Sequence, residues 1–261
     1  MIDLKDAPLP AWVILHVPHD STDIPVEVRE QFLLDDHQLA HEIRVMTDLH
    51  TLRLYADGVP DHQIVRSPIS RLVVDVERFE QDDDEPMAAR GMGVIYRVTH
   101  DLMPLRRPLS PNEREDLLCR WYRPHHMLLS VTVDRMLEDF GRAFVIDVHS
   151  FPSKALPYET DCAALRPEVC IGSDSYHTTE KAVESFRREF ESCGFLTSVN
   201  TPFAGALVPA KHYRRDARVS AVMIEVRRDL YLNENTGMLS AKSTEVAKKL
   251  RMGLVNSLAW C

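Results

Sequence analysis

Several common signatures are missing from this sequence. Its five cysteines, at 119, 162, 170, 193 and 261, are an odd number with no CxxC pair, which argues against a disulfide framework and a thiolate zinc site. No apolar run approaches the roughly 18 residues of a membrane helix. The opening stretch, Met1 to Asp6, lacks the basic-then-apolar order of a signal peptide, so a cytoplasmic location is the expectation. Basic charge is short as well. The net charge is -9, whereas a nucleic-acid partner calls for a basic face. There is no HExxH, and Gly91-Met-Gly93 is too short and wrongly spaced for a dinucleotide loop. With no repeat, linker or low-complexity stretch, residues 1–261 are expected to form one domain. Its 44% apolar residues supply a core and its 27% charged residues keep it soluble.

What the sequence does have is histidine, twelve in all, several beside expected strand ends. Ala143 to Phe151 reads as a buried strand: an apolar, β-branched run after Gly141 that reaches Asp147, His149 and Ser150 before Pro152. Open α/β sheets place their sites at such C-terminal strand ends. His149 is therefore either a ligand or catalytic group, or a hydrogen-bonded strand-end histidine. Ala11 to Val17 is a second buried strand, ended by Pro18, with His19 in the following loop and His16 inside the strand as a packed core residue.

Val26 to Phe32 reads as a short helix begun by Pro25. Leu39 to Tyr55 is helical in spacing but interrupted at Thr47-Asp48, where an N-cap is the structural reading of Asp48. His62 to Arg66 and Ser70 to Arg78 are strand candidates. Arg71 and Arg78 at the ends of the second suit capture of a carboxylate, or else pair with Asp75 or Glu77. Gln81 to Glu85 is a solvated acidic loop. Ser110-Pro111 starts a helix to about Tyr122. A second helix from Pro124 to Phe140 is expected to turn Met127, Leu128, Val131, Met136, Leu137 and Phe140 to the core. Val169 to Gly172, Leu196 to Asn200 and Val219 to Arg227 are further strands. Ser153 to Pro167 is a loop, Thr178 to Cys193 a helix stopped at Gly194, and Ser240 onward a final helix. Glu225 lies within the last strand, where a buried carboxylate requires a partner.

Strands alternating with helices predict a largely parallel sheet covered on both faces. Such a sheet gathers His19, the Arg71/Arg78 region, His149 and Glu225. Two imidazoles and a carboxylate are a common catalytic zinc set. Zinc lowers the pKa of bound water and polarises a carbonyl, and a free carboxylate such as Glu225 can take the proton.

Seven short segments, in order from about residue 12 to 234, together resemble the N-formylglutamate amidohydrolases, which are related more distantly to the zinc carboxypeptidases and the succinylglutamate desuccinylases. Val17-Pro-His-Asp-Ser21 is similar to the family's Pro-His-small-Gly, and Thr47-Asp-Leu-His50 to its Thr-Asp-aromatic-His. Ser70 to Arg78 is similar to Ser-Arg-x-x-x-Asp-x-Asn-Arg, and Arg123-Pro-His-His126 to x-Pro-Tyr-His. Asp147-Val-His-Ser150, Asn200-Thr-Pro-Phe-Ala-Gly205 and Ile224-Glu225 through Glu234 complete the series. Glu77 stands where the family usually has asparagine, and Ala206 where a second glycine is usual. Both departures bear on the exact substrate.

The resemblance implies an α/β fold, a three-layer α/β/α sandwich around a mostly parallel mixed sheet, zinc carboxypeptidase-like. It also implies one zinc ion held by His19, His149 and a third ligand, with Asp48 preferred over His50 or Asp20. Glu225 becomes the acid–base group and Arg78 the carboxylate anchor, with Arg71 in support; Ser150, Asn200 and His212 complete the expected substrate-binding set. The implied partner is a small N-acyl amino acid, N-formylglutamate or a relative, with neither nucleic acid nor membrane. Two other readings stay open: a metallocarboxypeptidase or peptide amidase on the same scaffold, with longer substrates and a more open cleft, and a ligand-binding homologue without turnover.

Overall fold

The computed structural model describes residues 8–159 and 166–259. Met1 to Asp6, the middle of the Ser153–Pro167 stretch, Cys162 and Cys261 lie outside them. Six strands form one sheet: β1 (Val13–Val17), β2 (Ile64–Arg66), β3 (Ala143–Phe151), β4 (Val169–Gly172), β5 (Thr197–Val199) and β6 (Val219–Arg227). Their order is β2-β1-β3-β6-β4-β5. All neighbours run parallel except β4 and β6, which are antiparallel. From β1 the chain passes to β2 on one side and β3 on the other. The C-terminal ends of β1 and β3 thus flank a topological switch point, where open α/β sheets bind ligands.

β3 is buried along its whole length, as expected of a central parallel strand covered on both faces. Side chains alternate between faces. Phe144, Ile146 and Val148 of β3, with Val13, Leu15 and Val17 of β1 and Val222, Ile224 and Val226 of β6, pack in one cluster. It is covered by α2 (Thr51–Tyr55), α5 (Glu180–Ser192) and α6 (Ser243–Leu258). Ala143 and Val145 lie on the other face with Ile14, Val219 and Ala221, beneath α4 (Arg123–Phe140). The result is a three-layer α/β/α arrangement. A further cluster, from Val28 and Leu39 to Val94, Tyr96 and Leu118, belongs to α1 (Asp36–Met46), α3 (Pro111–Leu117) and the long connections between β2 and α4.

Helix ends follow local chemistry. Asp35 and Gln38 form a capping box on α1, as Ser110 and Glu113 do on α3. α4 ends at Gly141, whose φ of +70° suits a residue without a Cβ. Gly172 closes β4 for a different reason: a Cβ there would lie 2.5 Å from the Met223 side chain and against the Gly205 carbonyl.

The expected short helix after Pro25 is present as a 3-10 helix, Val26–Gln31. Other expectations are corrected. Ser70 to Arg78 is a chain of turns, with Val73 N–H bonded to Ser70 and Asp75 N–H to Val94. Its Leu72, Val73 and Val74 are buried all the same, so an apolar run marked burial without marking a strand. The Ser110 and Pro124 helices are joined through a π-helical turn, Leu118–Tyr122. Met127, Leu128, Val131 and Phe140 point outward, at 68%, 51%, 58% and 45% exposure. The inward stripe is His125, Leu129, Thr132, Val133, Met136 and Leu137. Both stripes of α4 are apolar enough that spacing alone does not choose between them.

Candidate active site

The α4-facing side of the sheet changes character along the strands. Toward their N-terminal ends it carries Ala143, Val145 and Ala221. Toward their C-terminal ends the same face carries His16 on β1, Asp147 and His149 on β3, and Glu225 on β6. Register fixes the neighbours: His16 lies opposite Asp147, and His149 opposite Glu225, about 4.8 Å apart as adjacent strands are. His19 enters from the loop after β1. Asp48 enters from the loop between α1 and α2, where its backbone N–H donates to the His19 carbonyl at 2.9 Å.

His19, Asp48 and His149 are all buried, and one ligand atom from each lies within 4.8 Å of the other two. His19 Nδ1 is 3.3 Å from His149 Nδ1, Asp48 Oδ2 is 3.0 Å from His149 Nδ1, and Asp48 Oδ2 is 3.7 Å from His19 Nδ1. These spacings resemble those between ligands around one tetrahedral ion with bonds of about 2.1 Å. The outer nitrogen of His19, Nε2, donates to Asp75 Oδ1 at 2.8 Å, so Nδ1 is turned inward. Metal-ligating histidines are held in this way.

Asp75 is held in turn by Arg71 at 2.8 Å and by the Tyr96 hydroxyl. Asp48 Oδ1 accepts from Arg228 at 2.8 Å, and the same guanidinium donates to the Ser150 hydroxyl, the Ser150 carbonyl and the Val45 carbonyl. Burial and Arg71 work against a proton on His19, but Asp75 and Asp48 prevail and raise its pKa. Burial opposes charge on Asp48 too, yet His149, His19 and Arg228 hold its carboxyl well below the usual range.

Glu225 is 8% exposed, and its Oε2 has no hydrogen-bond partner. Burial, with Asp48 and Glu77 adding repulsion, pushes its carboxyl up to about 7 against the pull of His149 and Arg228. The competing ion pair with Arg227 or Arg228 is not formed: Arg227 binds Asp229 and Arg228 binds Asp48. A carboxyl poised near neutrality beside a His-Asp-His group is equipped to accept and return a proton.

Other expected residues are placed less centrally. Asp48 is no helix cap: α2 has His50 at its N-cap, without a side-chain bond, and Thr47 closes α1. His50 turns to the Gly237 carbonyl at 2.9 Å. Arg71 is committed to Asp75 and Tyr96. Arg78 is freer, 3.7 Å from Asp75 and 4.0 Å from Glu85. Ser150 is engaged by Arg228, and Asn200 by Ser173. His212 bonds Asp134 at 2.9 Å, nine residues and about 13 Å along α4 from His125, so the structure does not bring it to the cluster. Sequence reasoning offered Asp75 as a partner of Arg71, which it is, but missed its hold on His19 and the supporting roles of Arg228 and Asp147. Asp147 left a signal, since residues i and i+2 of a strand share a face.

The open α/β sheet gathers carboxyl and imidazole groups at its switch point, an arrangement equipped for acid–base chemistry. The chain belongs to the N-formylglutamate amidohydrolase family, whose sequence profile matches residues 11–232. It is thus a hydrolase of carbon–nitrogen bonds in linear amides. An N-formylglutamate deformylase of Pseudomonas putida is 27% identical, with 95% of this chain and 92% of that protein covered. One from Pseudomonas aeruginosa is 25% identical over 95% and 93%. The crystal structure of an N-formylglutamate amidohydrolase from Ralstonia eutropha superposes with a TM-score of 0.80 at 21% identity, covering 96% of this chain and 95% of the other, and so shares its fold.

Proposed function

We propose that the protein is a zinc-dependent amidohydrolase that cleaves the linear amide of an N-acyl amino acid, N-formylglutamate or a close relative, releasing the acid and the free amine. The observation that carries this reading is the buried His19–Asp48–His149 group, with its metal-like spacings, next to a glutamate whose pKa is lifted to about 7. The donor set of two imidazoles and one carboxylate suits zinc. When bound there, zinc supplies Lewis acidity that polarises the amide carbonyl and lowers the pKa of water.

The chain's own residues do the rest. Asp75 fixes the His19 tautomer and ring, and Arg228 fixes Asp48. Glu225 takes a proton from the attacking water as the new carbon–oxygen bond forms, then gives it to the nitrogen as the carbon–nitrogen bond breaks. Arg78, the less committed of the two arginines, holds the substrate carboxylate. Among the described residues no helix is long and apolar enough to cross a membrane.

Elemental analysis of protein purified without chelator, paired with a screen of N-acyl amino acids, tests the reading. The wild type should carry zinc and release formate from N-formylglutamate, and His149→Ala should lose the His19–Asp48–His149 metal. That metal retained in His149→Ala, or hydrolysis untouched by chelation, would refute zinc dependence.

A further inference from the structure

On the far side of the His149 ring lies a second group able to hold an ion. His16, Glu77 and Asp147 bring one ligand atom each within 4.8 Å of the others. His16 Nδ1 is 2.8 Å from Asp147 Oδ1 and 3.6 Å from Glu77 Oε1. His149 presents its other nitrogen to this group: Nε2 is 3.0 Å from Glu77 Oε2 and 3.1 Å from Asp147 Oδ1. Despite those distances, His149 Nε2 and Glu77 Oε1 are both buried without a hydrogen-bond partner. Buried polar atoms rarely stay unsatisfied. The 2.8 and 3.6 Å separations of His16 Nδ1 from the two carboxylates bracket those of neighbouring ligands around an ion with bonds of about 2.1 Å.

Charge points the same way. The Glu77 and Asp147 carboxyl groups both lie beside His16 Nδ1 and His149 Nε2, and among the described residues no arginine or lysine forms an ion pair with either. The nearby arginines do not serve: Arg71 and Arg78 lie against Asp75, and Arg228 against Asp48. His16 is also oriented as a ligand would be. Its Nδ1 faces the carboxylates, and its outer Nε2 is held by His125 Nε2 at 2.8 Å, as the outer nitrogen of His19 is held by Asp75.

We infer that His16, Glu77 and Asp147 form a second site for a first-row divalent cation such as zinc, back to back with the first across the His149 ring. The ion is bound through mixed nitrogen and oxygen ligands. Ligation through Nδ1 places the single His16 proton on Nε2, where it is donated to His125 Nε2, whose own proton sits on Nδ1, so both imidazoles stay neutral. Held between the carboxylates, the ion separates their charges and fixes His149 from behind. The inference goes beyond the proposed single-zinc centre: its three ligands are distinct from those of the first site, and the two sites share only the His149 ring between them.

Chelator-stripped full-length protein titrated with Zn2+, with bound metal counted by elemental analysis and folding checked by circular dichroism, tests it. The expected counts are two ions per chain in the wild type, one in Glu77→Gln and one in Asp48→Asn. Co2+ loading gives a second readout: the absorption band lost in Glu77→Gln should differ from that lost in Asp48→Asn. A single ion in the wild type, kept in Glu77→Gln and lost in Asp48→Asn, overturns the second site and leaves the first standing. A single ion kept in Asp48→Asn and lost in Glu77→Gln supports the second site and overturns the first. If Glu77→Gln does not fold, the wild-type count decides: two ions support the second site and one, assigned by Asp48→Asn, overturns it.

Discussion

The two faces of β3 carry opposite kinds of residue on one backbone. Phe144, Ile146 and Val148 face α2, α5 and α6 in an unbroken apolar layer. On the other face Ala143 and Val145 give way to Asp147 and His149. One face gains stability by removing apolar surface from water, roughly 1.5–3 kcal/mol for each large side chain. The other spends stability, holding several charges and unpaired polar atoms where water is scarce. The difference separates holding the fold from doing the chemistry, although the residues involved alternate along a single strand.

The sharpest way to break the comparison is Phe144→Ala. The ring stacks on Phe186 with centroids 6.0 Å apart, and its loss should cost about 3–5 kcal/mol of unfolding free energy. Denaturant melts should show that loss while kcat of the folded fraction stays near wild type. An equal fall in kcat would mean that the faces are not separable.

Glu225→Gln is the mirror image. It should lower kcat by at least about 100-fold with metal content, substrate Kd and melting temperature preserved. The reaction needs the ionised carboxylate, and burial raises its pKa to about 7. The wild-type rate should therefore fall as pH drops through about 7, and that acid limb should vanish in the variant. Near-normal kcat in a folded, metal-loaded Glu225→Gln protein would refute the role.

Arg78→Lys sharpens the picture at the rim. A lysine cannot reproduce the guanidinium fork, so KM for an anionic N-acyl amino acid should rise about 10-fold, and KM for an uncharged amide far less. Equal rises would mark Arg78 as a structural partner of Asp75.

The strands were legible because buried parallel strands are near-continuous apolar runs, and β1, β3 and β6 fall where such runs occur. Periodicity failed where burial and regular structure part. Leu72 to Val74 are buried in turns, and on α4 Met127, Leu128 and Val131 are exposed although they are as apolar as the buried Leu129, Val133 and Met136, while His125 and Thr132 are buried with the latter. Within the candidate site, His19, Asp48, His149 and Glu225 do come together. Their supports were out of reach because they are set by distant pairings, such as Asp75 with His19, 56 positions apart. No local pattern encodes such a pairing.

The Arg228 guanidinium has a consequence for how the chain is made. It ties Asp48 to a position 180 residues later, and to Ser150 on β3. At synthesis rates of about 5–20 residues per second, that separation is roughly 10 to 40 s of waiting on the ribosome. Through that interval Asp48 lacks the contact that aims it, and His149, once made, lacks the neighbouring strand β6 until the last part of it. The site is complete only after β6 and the turn that follows it have brought in Glu225 and Arg228. A nascent chain stopped before β6 would carry His19, Asp48 and His149 and still not have them arranged for work.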